Sequence, residues 1–488
     1  MNAFRRCTLA LALLSSPAFA LDCGPTDGCS GGPFSSPESR HPNQVKHSDF
    51  FKGYAAQSIG APGSKQPANG VYPARPPWNV AGVDYAVGVP DNITLKIPGV
   101  DPLPPHCYAS ITAPGVKINN INCQQDGGAG ITFDGWDFTV NGGIYLNITW
   151  AVTGPVVIKN SKFAYGPNFA PGGAFANKIQ IIQLVSAGSL LFQNNFVDAN
   201  GPQQALDGAW QSFSINAGKF PMEFYYNAFL RARARHITAT GYGKPQGDVK
   251  IKFNYFEGLT YKTNEAHGEI ALFTWTGTMN SQEFAYNTWL EPKSTFMDGP
   301  TNGITSPWCP NNSTVDSDLT TLNFNNNVLV GNYAFVNGAY VNKVTSGTGG
   351  LSFQSGTYGD IKITDNWIDP TAAYYCWYTP GAPVTHSFTS GGNRNLLTGK
   401  SANGLAVRGS SFQGSASLDA GVLTVVSLNN GAVGIGSQVN INGKTVVVTA
   451  QGTGRGLAGT YIVNNSSFKA PLGGFALWAD ECNNGGQP

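Results

Sequence analysis

The chain has 488 residues, of which only 12% are charged, and its formal net charge is +1. So even a balance argues against a nucleic-acid binder, which needs a basic surplus or stripe. Hydrophobic residues at 41% and aromatics at 12% supply enough apolar surface to exclude a disordered chain, and 61 glycines suit a fold with many corners.

Taken in order, the chain opens with Met1-Asn-Ala-Phe-Arg5-Arg6, an apolar run from Cys7 to Leu14 and the small-residue end Pro17-Ala-Phe-Ala20. This is the pattern of a secretory signal (1–20), with cleavage expected after Ala20. No other run reaches the length that spans a bilayer, so a secreted or periplasmic protein without a transmembrane segment is expected. Seven cysteines then remain. In an exported protein the expectation is disulfides, with Cys23–Cys29 and Cys107–Cys123 the locally cheapest pairs. Cys309 can meet Cys376 or Cys482. Residues 21–105 are rich in Pro and Gly and read as an irregular arm or cap. Trp78, Tyr85 and Val87 are the expected cover for the open apolar end of a repeat array.

From 106 to 395 one short pattern recurs. Met222-Glu-Phe-Tyr-Tyr-Asn227-Ala-Phe229, Val249-Lys-Ile-Lys-Phe-Asn254-Tyr-Phe256 and Gln282-Glu-Phe-Ala-Tyr-Asn287-Thr-Trp289 are three copies, each alternating apolar residues up to an Asn. Alternation of period two is a strand with one buried face. The Asn ends it, because Asn tolerates the left-handed conformation. Corners counted this way fall at Asp134, Ser161, Asn195, Asn227, Asn254, Asn287, Asn327 and Asn366. Their spacing lies within the range that marks solenoids and other repeat arrays.

A corner Asn in successive repeats resembles the asparagine ladder of the right-handed parallel β-helix proteins, the pectate lyase-like superfamily. The resemblance implies an all-β fold of three short strands per coil. It also implies an activity class that ranges over polysaccharide lyases, hydrolases, esterases, tailspikes and adhesins, so the fold alone does not fix a function. No characterised family is matched motif by motif. Trp367-Ile-Asp369 is followed by Pro370, and Ala266-His267-Gly268 only faintly echoes a hydrolase motif. From 405 to 480 short strands between Gly and Asn turns read as a small all-β module. Its run Gln451-Gly-Thr-Gly-Arg-Gly-Leu-Ala-Gly-Thr-Tyr461 is no phosphate loop, since no Lys-Ser/Thr and no helix pattern follow.

The densest titratable cluster is Asp207, His236, His267 and Glu269, with Arg233 and Arg235 beside it. Counted back from the next corner Asn, Asp207 and His267 fall at −20 and His236 and Glu269 at −18. Trp210, Ile237 and Ile270 fall at −17 as an inward stack, so the four are expected on one exposed face. Two mechanisms fit them. In a lyase on an acidic glycan, His236 or an Arg removes the proton beside a uronate carboxylate, which Arg233 or Arg235 neutralises. The resemblance adds acidic Ca²⁺ ligands, for which Asp207 and Glu269 are available. In a hydrolase, Asp207 and Glu269 act as acid and base. The lyase fits the arginines better. The alternative is a non-catalytic glycan-binding surface protein of adhesin or tailspike type. Tyr225, Tyr242, Tyr261, Trp275 and Trp308 are the candidate aromatics of a polysaccharide groove.

Overall fold

The computed structural model describes residues 44–45 and most of 76–477. Residues 1–43, 46–75 and 478–488 lie outside the described residues, as do 110–117, 200–210, 260–267, 291–300, 309–316, 338–357, 403–413 and several shorter loops. The signal, its cleavage site, Cys23, Cys29, Cys309 and Cys482 fall there. The described residues are all-β, with one short 3-10 turn at Val140–Gly142. Among them no helix is long and apolar enough to cross a membrane.

Three sheets carry the repeats. The first has nine strands, from Ile131–Asp134 to Val384–Gly391; the second has eight, from Lys162–Ala164 to Arg394–Asn395. The third has ten, from Cys107–Ala109 to Tyr375–Tyr378. All pairings within them are parallel except the first of the third sheet, where Cys107–Ala109 runs antiparallel to Asn120–Cys123. The chain visits the sheets in turn. Met222–Tyr225 lies in the first, Ala228–Ala232 in the second and Arg235–Gly241 in the third, before Val249–Lys252 returns to the first beside Met222–Tyr225. This order is in keeping with a β-helix-like solenoid. Val249 and Ile251 are buried while Lys250 and Lys252 are not, which is the expected alternation about one core.

The corner between the first and second sheets is held by amides. Asn254 donates its backbone N–H to Asn287 Oδ1 at 3.0 Å and its Nδ2 to the same oxygen at 3.1 Å. Nδ2 also reaches the carbonyl of Phe224 at 2.9 Å. The same arrangement links Asn195 to Asn227, Asn227 to Asn254, Asn287 to Asn327 and Asn327 to Asn366. It runs on to Asn393, a rung the sequence pattern did not disclose. Ser161 and Trp136 complete the early end, through Ser161 N–H to Asn195 Oδ1 and Trp136 N–H to Ser161 Oγ.

Two expectations are corrected here. The earliest corner is Trp136, not Asp134, because Asp134 pairs with Lys159 two residues before Ser161. The left-handed residue is the one before each Asn, not the Asn itself. Tyr226, Phe253 and Tyr286 hold φ of 55°, 61° and 57°, a costly conformation for bulky side chains. Their rings stack at 5.1 and 5.2 Å, tilted by 9° and 14°, which offsets part of that cost.

Trp78 and Tyr85 do not cover the end of the array. Residues 78–96 run along the outside of the second sheet, whose outward row includes Phe196, Ala228, Tyr255, Val328 and Trp367. Trp78 meets the edge of Tyr286, and Tyr85 that of Tyr226. Lys96 pairs with Trp136 at the earliest corner. Gly82 passes so close to Tyr255 that a Cβ there would sit 2.5 Å from the ring. An apolar outer row explains why this side of the stack needs cover.

Six antiparallel strands close into a barrel, in the spatial order Gly414–Asp419, Val422–Leu428, Gly459–Val463, Lys444–Gln451, Gln438–Ile441 and Ala470–Leu477. Ala420 and Gly421 turn the chain within what reads as one strand from Leu418 to Val426. The glycine-rich run serves packing. A Cβ on Gly454 would lie 2.2 Å from Cζ of the buried Tyr461.

Candidate functional site

Of the expected site residues, Asp207, Arg233 and His267 lie outside the described residues. The others sit at the start of neighbouring strands of the third sheet, where Gln211 pairs with Arg235 and Arg235 with Glu269. His236 therefore does not face Glu269. It lies opposite Ile270, between the pairs Arg235–Glu269 and Ile237–Ala271. The expected alignment of His236 with Glu269 fails because the connections differ by one residue. Seventeen residues separate Ile237 from Asn254, and sixteen separate its partner Ala271 from Asn287. One residue is enough to exchange faces.

His236 is 0% exposed and packs against the rings of Phe229 and Phe256, with Ser212 Oγ 3.4 Å from Nδ1. Burial pushes its imidazole down to about 3, only partly countered by the backbone and carboxylate of Glu257. It is a neutral core residue at physiological pH, not an exposed base. Tyr225, one of the aromatics expected in a groove, is likewise buried. Among the described residues no group of three or more His, Cys, Asp or Glu is placed to hold a metal ion.

A different constellation emerges on the third sheet. The disulfide Cys107–Cys123, as expected, ties its antiparallel edge and sets Tyr108 opposite Asn122. Asn122 pairs with Asn147, Asn147 with Gln183, Gln183 with Ser214 and Ser214 with Thr238. The residues on either side of this row, such as Leu146 and Ile148, or Ile182 and Leu184, are fully buried. The row consequently faces outward. Tyr108 is 47% exposed, Asn122, Asn147 and Gln183 are half-buried, and Ser214 and Thr238 are buried.

Comparison of the chain with family models, curated proteins and solved structures returns no match. The reading of the row accordingly rests on its own chemistry.

The amides are fixed by one another. Asn147 Nδ2 donates to Asn122 Oδ1 at 2.9 Å. The Tyr145 hydroxyl donates to Gln183 Oε1, which also accepts from Gln180 Nε2 at 3.1 Å. Burial pushes the Tyr145 phenol up to about 12, so it stays a neutral donor. The first sheet differs. Its outward row passes through Glu223, Lys250 and Glu283, with Lys250 paired to Glu223 at 3.1 Å and Lys252 to Glu283 at 3.2 Å. Such half-exposed pairs contribute little to stability, but they give that face a charged character that the row from Tyr108 to Thr238 lacks. Sequence reading missed the row because it carries no Asp, Glu, Lys, Arg or His. The signal was present in the Cys107–Cys123 pairing, which puts Tyr108 and Asn122 side by side.

Proposed function

We propose that this chain is an exported glycan-recognising protein, built as a right-handed parallel β-helix of the pectate lyase-like type. Its binding surface is the outward face of the third sheet. The observation that carries the reading is the register row Tyr108–Asn122–Asn147–Gln183. A half-exposed aromatic ring offers a rigid amphipathic platform on which a sugar ring can stack. The row of amides beside it presents both donor and acceptor groups, as vicinal hydroxyls require. Export is supported by the N-terminal pattern and by the disulfide. Affinity electrophoresis and calorimetry against a glycan panel test the proposal. Binding is expected, with Tyr108→Ala weakening it; a protein that binds no polymer of the panel overturns it.

A second reading, cleavage of an acidic glycan by a lyase, keeps one supporting observation. Arg235, a partly exposed cation, stands at the start of the third sheet, where a uronate carboxylate would need neutralising. His236, neutral and buried, supplies no base in it. Incubation with uronate polymers tests this reading. A conjugated double bond absorbing in the ultraviolet, lost in Arg235→Ala, supports it, and its absence from every uronate polymer refutes it.

A further inference from the structure

We infer that the glycan bound on the third sheet is uncharged, and that it lies along the stack with about one sugar unit per coil. This rests on the glycan-recognition reading above. Beyond Thr238 the register of the row continues through Leu272, Thr305 and Asn337 to Tyr378. From Tyr108 to Tyr378 it crosses all ten strands of the sheet without one ionisable acid or base of the Asp, Glu, Lys, Arg or His type. The neighbouring register positions, from Asn216 through Thr240 and Thr274 to Trp308, are equally uncharged. The outward row of the first sheet, which has nine strands, holds Glu223, Lys250, Glu283 and Lys362. A charge-free row beside a charged one is the discriminating contrast, since the charged pair of the third sheet, Arg235 opposite Glu269, lies off this row at the start of its strands.

An acidic polymer brings one carboxylate per sugar, and taking each out of water without a cation opposite it is costly. A neutral polymer brings only hydroxyls, for which amide and hydroxyl side chains are complete partners. Successive strands of a sheet stand about 4.8 Å apart, a step comparable to the length of one pyranose in an extended chain. Asn122, Asn147 and Gln183 then meet successive sugars, and Tyr108 stacks on the sugar at the disulfide-bonded edge.

The test is calorimetric titration of the full chain with a neutral mannan, a neutral β-glucan and polygalacturonate, each at low and high salt. Binding to a neutral polymer with an affinity that salt leaves unchanged is expected, since no charges are being screened. Tyr108→Ala should weaken it about tenfold, as an exposed aromatic anchor does. Asn147→Ala should weaken it about fivefold, the loss of a neutral hydrogen bond. Thermal unfolding of both variants checks that the fold survives. Binding confined to polygalacturonate, weakening as salt rises, overturns the inference while leaving glycan recognition standing. Binding that neither variant alters overturns the placement on this row, and no binding to any polymer overturns both readings.

Discussion

Acidification from neutrality toward pH 4 should strike this fold at His236. The unfolded chain takes up a proton on His236 near the ordinary value of 6.5, whereas the folded chain resists until about 3. Between those limits the unfolded state holds more protons, so stability falls as pH falls. Integrating that difference from pH 7 to pH 4 gives a loss of about 3 kcal/mol from this one side chain. A whole domain is commonly stable by only about 5–15 kcal/mol, so the loss should be plain. The assay is urea unfolding followed by circular dichroism at half-unit pH steps, on the natural chain and on His236→Leu. The variant replaces a ring between Phe229 and Phe256 with an apolar group and should cost about 2 kcal/mol or less at pH 7. Its stability should then decline less steeply on acidification, the two curves converging by about 3 kcal/mol at pH 4. If both chains lose stability in parallel over that range, His236 is not the buried neutral group described here.

Three other outcomes are expected. Asn254→Leu removes the acceptor of Asn227 N–H and the donor to Phe224 and Lys252 carbonyls; urea unfolding should show a loss of about 3 kcal/mol or more, since each orphaned buried group costs roughly 1–3 kcal/mol. Burial would raise the Asp126 carboxyl, but backbone N–H groups of Thr153, Gly128, Gly154 and Gly130 outweigh it and bring it to about 2. Its contribution is complete above pH 3.8 and lost as pH falls through 2, so Asp126→Asn should be less stable at pH 6 by about 2 kcal/mol and lose less on further acidification, as denaturation at pH 6 and 3 will show. Gly454→Ala forces a methyl against the Tyr461 ring, and calorimetry should register a loss of about 1–3 kcal/mol in the barrel.

The parts of the fold legible in the sequence are those where one residue type answers one local demand. A buried corner with backbone groups to satisfy on both sides requires a short amide, and Asn227, Asn254 and Asn287 disclose it by recurring. Facing was harder to read. His236 and Glu269 share an offset from their corners, yet a one-residue difference between connections sets His236 opposite Ile270 instead. The arm left no periodic trace, because Trp78 and Tyr85 answer to rings more than a hundred residues away. Trp136 escaped because a Gly-Trp pair takes the place that Asn-Asn or Asn-Ser holds in the next coils.

Stacked repeats ordinarily touch only their neighbours, so such arrays can fray from either end, one unit at a time. Residues 78–96 change that arithmetic. Anchored at Tyr286 and at Trp136, and touching Tyr255 and Tyr226 between, they form a lengthwise tie across the seams between those coils. A coil in the middle can separate from the next only by peeling this tie away from several others. The central coils should therefore open together or not at all, as a single cooperative block within an otherwise modular stack.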